Sequence, residues 1–266
     1  MNFSRRSLLS AGAALAATPA AAEIIANGAD QTVELQAAID HAAVNGGLLR
    51  LGAGKFLVAG LNLKSSLQIE GVAGQTRLVA LGSVDILSVE GAQHLGISGI
   101  TFESGGNGLV LRNCGGRISG NAFLLQEKTG LFALDSRGLE ISGNHVHDIG
   151  NNGIQVWTSE KREDGTLVID NRVERIAAKA GGSGQNGNGI NIYKAGQVLV
   201  SGNRIADCHF SAIRNNAGNN CQILGNNISR TGEVAIYVEF AFEGVVVSSN
   251  MIDDAGFGIS ITNFNE

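Results

Sequence analysis

The amino-acid sequence predicts an all-β chain wound as a single-stranded parallel solenoid, with a short α-helix closing its amino end. Three observations lead there. An apolar alternating strand running into an asparagine recurs as Ile118-Ser119-Gly120-Asn121, Ile141-Ser142-Gly143-Asn144, Ile169-Asp170-Asn171, Val200-Ser201-Gly202-Asn203, Leu224-Gly225-Asn226 and Val247-Ser248-Ser249-Asn250. Successive asparagines stand 23, 27, 32, 23 and 24 residues apart. Repeats of this length with short strands and no helical pattern between them cannot bury an apolar face alone, and stack on their neighbours. Finally, the 266 residues include 38 Gly and 24 Asn but one Pro, Pro19. One kind of turn, used again and again and needing φ > 0, explains that bias, with the repeat asparagines as its αL residues. The same asparagines should stack into an internal ladder, which makes their role structural.

Taken in order, residues 1–22 have the layout of an export signal. Arg5-Arg6 precedes an apolar run from Leu8 to Ala17, and Ala20-Ala21-Ala22 offers a small-residue cleavage site before Glu23. The arginine pair resembles the twin-arginine translocation motif, with Leu8 in place of its usual Phe and Ser10 in place of its usual Lys. A general secretory signal is the alternative, and either route leaves the cytoplasm. Residues 23–56 form the cap and first coil. From Asp30 to Asp40, Leu35 and Ile39, continued by Ala42, fall at helical spacing behind an Asp or Thr N-cap, and such a helix would cover the open apolar bore. Gly46-Gly47-Leu48-Leu49-Arg50-Leu51-Gly52 then begins the first strand. Residues 57–266 hold the repeats.

The helix followed by the Gly-Gly strand resembles the amino-terminal cap of pectate-lyase-like right-handed parallel β-helix proteins. With Arg5-Arg6 and the Gly-Asn repeats, the chain is similar to a family of twin-arginine-translocated repeat proteins. The resemblance covers essentially the whole chain. It implies a right-handed parallel β-helix and a periplasmic or extracellular location reached by the twin-arginine route; it carries no assigned reaction.

If asparagine sets the register, the second strand of each coil aligns as Leu109 to Arg112, Leu131 to Leu134, Ile154 to Trp157, Ile190 to Tyr193, Ile213 to Asn216, Ile236 to Glu239 and Ile259 to Thr262. Side chains alternate along a strand, so the second and fourth residues face solvent. Two outward stripes result: Val110, Phe132, Gln155, Asn191, Arg214, Tyr237, Ser260, and beside it Arg112, Leu134, Trp157, Tyr193, Asn216, Glu239, Thr262. The chain's one Trp and both its Tyr lie here, among amide, guanidinium and carboxylate groups. Flat aromatic bodies cover sugar C–H surface and planar polar groups bond hydroxyls or carboxylates. A polysaccharide or oligosaccharide is the expected partner, held by Gln155, Trp157, Asn191, Tyr193 and Asn216. Aromatic residues also favour exposed strands simply because they shield the pleat. Two longer connections, Thr158 to Thr166 and Ala177 to Gly189, account for the 27- and 32-residue spacings and adjoin the aromatic stripe. Insertions on one side of a solenoid mark its binding face.

The candidate reactive group is Arg214, Tyr237, Glu239 and Lys194. Hydrolysis needs two carboxylates roughly 5 to 9.5 Å apart, and the stripes offer only Glu239, so a glycoside hydrolase is the weaker expectation. A polysaccharide lyase or uronate epimerase instead needs the sugar carboxylate neutralised, a base and an acid. Arg214 or Asn191 could neutralise, Lys194 or His209 could take the proton and Tyr237 could donate one. The class-distinct alternative is a non-catalytic glycan-binding or cell-envelope scaffold.

Other features exclude more than they suggest. Without Arg5 and Arg6 the chain has 17 basic and 24 acidic residues, net −7, which disfavours nucleic acid. No stretch after residue 22 reaches the roughly 18 apolar residues of a membrane span. Cys114, Cys208 and Cys221 have no metal spacing and are expected as buried apolar residues, a Cys208–Cys221 disulfide being the alternative. His145, His147 and Asp148 lie on one turn with no facing ligand; no metal site and no cofactor are predicted. Asp148, Arg175, Asp207, Arg230 and Asp254, each four residues past a repeat asparagine, should pair from coil to coil. The final strand, Gly258 to Ile261, has no capping helix after it, and an uncovered solenoid end invites end-to-end self-association or further coils.

Overall fold

The computed structural model describes residues 23–45 and 47–263; the export signal expected over residues 1–22 lies outside the described residues. It is a parallel β-solenoid of about ten turns with one short helix. Each coil has three faces. The first face stacks, among others, Leu95–Ser98, Gly116–Ser119, Leu139–Ser142, Leu167–Ile169, Leu199–Ser201 and Cys221–Leu224. The second stacks Ile100–Glu103, Ala122–Leu124, His145–Ile149, Arg172–Ile176 and Arg204–Cys208; the third stacks Leu109–Arg112, Thr129–Leu134, Asn152–Glu163, Asn188–Gly196 and Ile213–Asn216. In the last two coils Asn227–Glu239 and Met251–Thr262 each run through the second and third faces as one bent strand. No described helix is long and apolar enough to cross a membrane.

Inward side chains form aliphatic ladders such as Ile118, Ile141, Val168, Val200 and Ile223, all fully buried, and Phe102 stacks on Phe123 with centroids 4.9 Å apart. The repeat asparagines form the expected internal ladder. From Asn144 onward each side-chain oxygen accepts the backbone N–H of the asparagine one coil earlier, as Asn144 Oδ1 from Asn121 (3.0 Å), Asn171 from Asn144 (3.0 Å) and Asn203 from Asn171 (2.9 Å), while Asn121 Oδ1 accepts from Ile100. Each amide donates to a carbonyl of the coil below, as Asn171 Nδ2 does to Ile141 O at 2.9 Å. These bonds satisfy backbone groups that leave the sheet where the chain turns.

The turn chemistry differs from expectation. The left-handed residue is the one before the asparagine: Gly120, Gly143, Asp170, Gly202, Gly225 and Ser249 all have positive φ, while the asparagines do not. The asparagine amide is engaged inside, and its neighbour bends the chain. Two further corners also use αL residues. Asp148, Arg175, Asp207, Arg230 and Asp254 bend the second corner, and Asn113, Asp135, Lys194, Ala217 and Phe240 the third. Most therefore are not glycine, and each bears the small steric cost of that conformation in an L-residue.

The helix spans Thr32–Val44 and buries Leu35 and Ile39 over the first coil. Its N-cap is Gln31, not Asp30 or Thr32; Asp30 instead accepts bonds from the backbone and hydroxyl of Thr32. The Gln36 amide is bonded both ways to the Asn62 backbone, at 2.8 and 2.9 Å, which seats the helix on the coil. At the other end Phe257, Ile259 and Ile261 are exposed. The three cysteines are free and buried, so no disulfide joins Cys208 to Cys221.

Candidate functional site

The third face has the predicted register throughout. Phe132, Gln155, Asn191, Arg214, Tyr237 and Ser260 pair in succession, as do Leu134, Trp157, Tyr193, Asn216, Glu239 and Thr262. Ile154 and Val156 are fully buried on the bore side, so the stripes are on the outside of the pleat. They are not, however, open to solvent along their length. Val110, Gln155, Asn191 and Glu239 are buried. Strand alternation shows which side of the sheet a residue takes, but not what then packs over it.

The covering comes from the two insertions. Residues 177–188 fold back as a loop held by a second set of polar side chains at the start of the third face. Asn151 Oδ1 accepts the Ala180 N–H, Asn152 Nδ2 donates to Gln185 O, and Asn188 Nδ2 donates to Gly184 O. Gly184 (φ +117°) lies directly on Arg214: a Cβ there would sit 2.5 Å from Nη1. The other insertion continues the Trp157 strand past a bulge to Glu163 and replaces the αL corner used elsewhere. Its Lys161 reaches the Ala241 carbonyl, and Arg162 pairs with Asp135.

Between loop and strand is a pocket of about 320 Å³ lined by Trp157, Gln185, Asn191, Tyr193, Arg214 and Asn216, at the lower end of small-ligand sites, about 300–1,000 Å³. Phe132 meets Trp157 edge-on at 5.3 Å and Trp157 lies 5.5 Å from Tyr193, a continuous aromatic wall over three coils. Arg214 pairs with Glu239 through Nε (2.5 Å) and Nη2, and Asn216 Nδ2 donates to the same Glu239 oxygen at 3.0 Å. The guanidinium lies 5.7 Å from the Tyr237 ring centroid. Two buried donors have no protein partner, Arg214 Nη1 and Trp157 Nε1. Buried N–H groups are rarely left unpaired.

Of the residues expected to bind, Trp157, Asn191, Tyr193 and Asn216 line this pocket. Gln155 lies beneath, accepting from Thr129 at 2.8 Å. Arg214 lines it too, with Glu239 behind its guanidinium. Lys194 is at an αL corner at the rim, 5.2 Å from the Tyr193 ring centroid, donating to Ser159 O. His209 is elsewhere, with Phe210, Arg175, Asp207, Arg230 and Glu233, in a wide trough at the corner of the second and third faces. That trough, at about 950 Å³, is larger than the pocket, but its arginines are already paired, Arg175 with Asp148 and Arg230 with Asp207. Gln185 and Gly184 were not singled out from the sequence; the run of glycines marked a loop without showing where it lands.

The second face has a charged cluster. His145 bonds Glu174 at 3.1 Å, His147 bonds Asp148 at 2.6 Å, and Glu174 also takes Arg172 and Arg175. Burial pushes the Glu174 carboxyl up, but the bonds from Arg172, His145 and Arg175 outweigh it and hold it at about 2. Burial pushes His145 below its usual value. Both shifts are downward, so both groups stabilise the fold above their ordinary values and lose that contribution as protons bind. The melting temperature should fall as pH drops below about 6.5 and further between about 4.5 and 2. Glu174→Gln should flatten the acid limb; an unchanged limb would remove Glu174 from the account.

The stacked parallel coils are those of a right-handed parallel β-helix, here with an aromatic-walled pocket on one face. Residues 79–229, more than half of the chain, match the model of the periplasmic copper-binding protein NosD family, and the chain belongs to that family. Among solved structures it is similar to the Agl-KA catalytic domain (13% identity, 94% of this chain and 54% of that one, TM-score 0.67). It is also similar to an alginate lyase from Paenibacillus sp. str. FPU-7 (14%, 86% and 97%, 0.61) and to the Dettilon tailspike protein gp208 (15%, 92% and 66%, 0.50). The chain thus spans 54% of the first and 66% of the third. At these identities the likeness is one of fold. No curated protein matches the chain in a sequence comparison.

The family's metal does not suit the donors present. Among the described residues no three His, Cys, Asp or Glu are grouped so that they could hold a metal ion. Burial pushes the thiols up, Cys208 to about 12 and Cys221 to about 11, which keeps them protonated rather than ligating. No step is routed through copper.

Proposed function

We propose that this chain is an exported β-helix that binds a polysaccharide along its third face, in the groove between the two insertions. The observation that supports this best is the aromatic wall Phe132, Trp157 and Tyr193 beside a pocket containing two unpartnered buried donors. Binding without cleavage is favoured because the groups that elimination chemistry would use are engaged with one another. Glu239 accepts from Arg214 and Asn216, and Lys194 donates to a carbonyl. Lyase action through Arg214, Tyr237 and Lys194 is the chemistry the test must exclude.

The test is a glycan panel read two ways, by calorimetry for binding and by ultraviolet absorbance for unsaturated uronate products. Binding without product is expected. Product from any glycan would establish a lyase, and no binding by any glycan would overturn the reading. Export by the twin-arginine route belongs to the same proposal, supported by Arg5-Arg6, and predicts recovery of the protein in the periplasmic fraction.

A further inference from the structure

Resting on the polysaccharide reading, we propose that the pocket takes an uncharged, acetamido-bearing sugar unit and that Glu239 makes it reject uronates. A lone arginine in a pocket calls for a carboxylate. Here the guanidinium is already neutralised. Glu239 is 2% exposed and takes both Nε and Nη2 of Arg214, whose own side chain is 11% exposed. A uronate entering the pocket would place a second carboxylate against one cation in a site shielded from water, where like charges repel strongly.

What Nη1 lacks is an acceptor, not a counter-charge. Trp157, which lines the same pocket, has a buried Nε1 that lacks one as well. Leaving such donors unpaired is costly, and a neutral carbonyl satisfies them without adding charge. An acetamido group supplies that carbonyl together with a methyl group suited to the Trp157 and Tyr193 faces. Lys194, a further cation, is at the rim on Ser159 O and the Tyr193 ring. Glu239 is thereby a specificity-determining residue that acts through Arg214.

The experiment compares calorimetric affinities of the full chain for N-acetylglucosamine oligomers, uronate oligomers and cello-oligomers of equal length. Acetamido oligomers are expected to bind roughly tenfold or more tightly than either of the others, a difference of about 1.4 kcal/mol. In Glu239→Gln the uronate affinity should rise roughly tenfold, because Arg214 is then a free cation. Uronate binding equal to or tighter than acetamido binding in the unaltered protein would overturn the proposal and leave polysaccharide binding standing. Preference for cello-oligomers would likewise overturn the acetamido assignment. Should Glu239→Gln fail to fold, the selectivity of the unaltered chain decides alone. If no oligomer of any class binds, the groove itself is refuted, and this inference with it.

Discussion

Trp157→Ala should cost the groove roughly tenfold to thirtyfold in glycan affinity, while the coil stays folded. The side chain is on the outer face of the sheet, meets Phe132 at 5.3 Å and Tyr193 at 5.5 Å, and contributes a wall and an unpartnered Nε1 to the pocket. Truncating a buried aromatic at the centre of a binding site commonly costs about 2 kcal/mol or more. The bore-side neighbours Ile154 and Val156 carry the packing, so the melting temperature should drop by only a few degrees. Trp157→Phe separates the two contributions, since it keeps most of the wall and removes the donor; its affinity should fall between the other two. Unchanged affinity in Trp157→Ala would show that the ligand, if any, binds another face.

The largest effect on stability is expected at Asn171→Ala. Asn171 accepts the Asn144 N–H, donates to Ile141 O and bonds the asparagines on both sides. Alanine leaves a buried donor and a buried carbonyl unpaired, at about 1–3 kcal/mol each, so a loss of roughly 3–5 kcal/mol is expected. Asn250, on the last coil, is only partly buried, and Asn250→Ala should cost clearly less. Denaturant melts of the two variants check the order; equal losses would mean that the ladder does not act through burial.

The fold and the site were legible to different depths. The stripes followed from two facts visible in the chain, a repeat asparagine that sets register and a side-chain period of two; every pair from Phe132 to Thr262 agrees. The αL residue was misplaced by one position because Gly-Asn is a pair, and the spacing alone does not say which member bends. What covers Asn191 was not legible. The path of residues 177–188 depends on side chains from an earlier coil, Asn151 and Asn152, whose place beside the loop exists only after winding. The state of Glu239 was hidden for a related reason. Its partner Arg214 is 25 residues earlier, and the diagonal between stripes that joins them depends on side-chain torsions.

The asparagine ladder has one more consequence. It lies at the corner between the first and second faces, remote from the groove, yet holds each coil in step with the next through bonds that are the same at every level. Registration and the proposed recognition are thus carried by separate residues on separate sides of the chain. Duplicating or excising one 23-residue unit such as that from Asn121 to Asn144 would preserve the ladder and shift the third face by one strand spacing, about 4.8 Å. The groove is a ruler with interchangeable divisions. For the proposed polysaccharide ligand, the reach along the polymer would change in whole steps without disturbing the core.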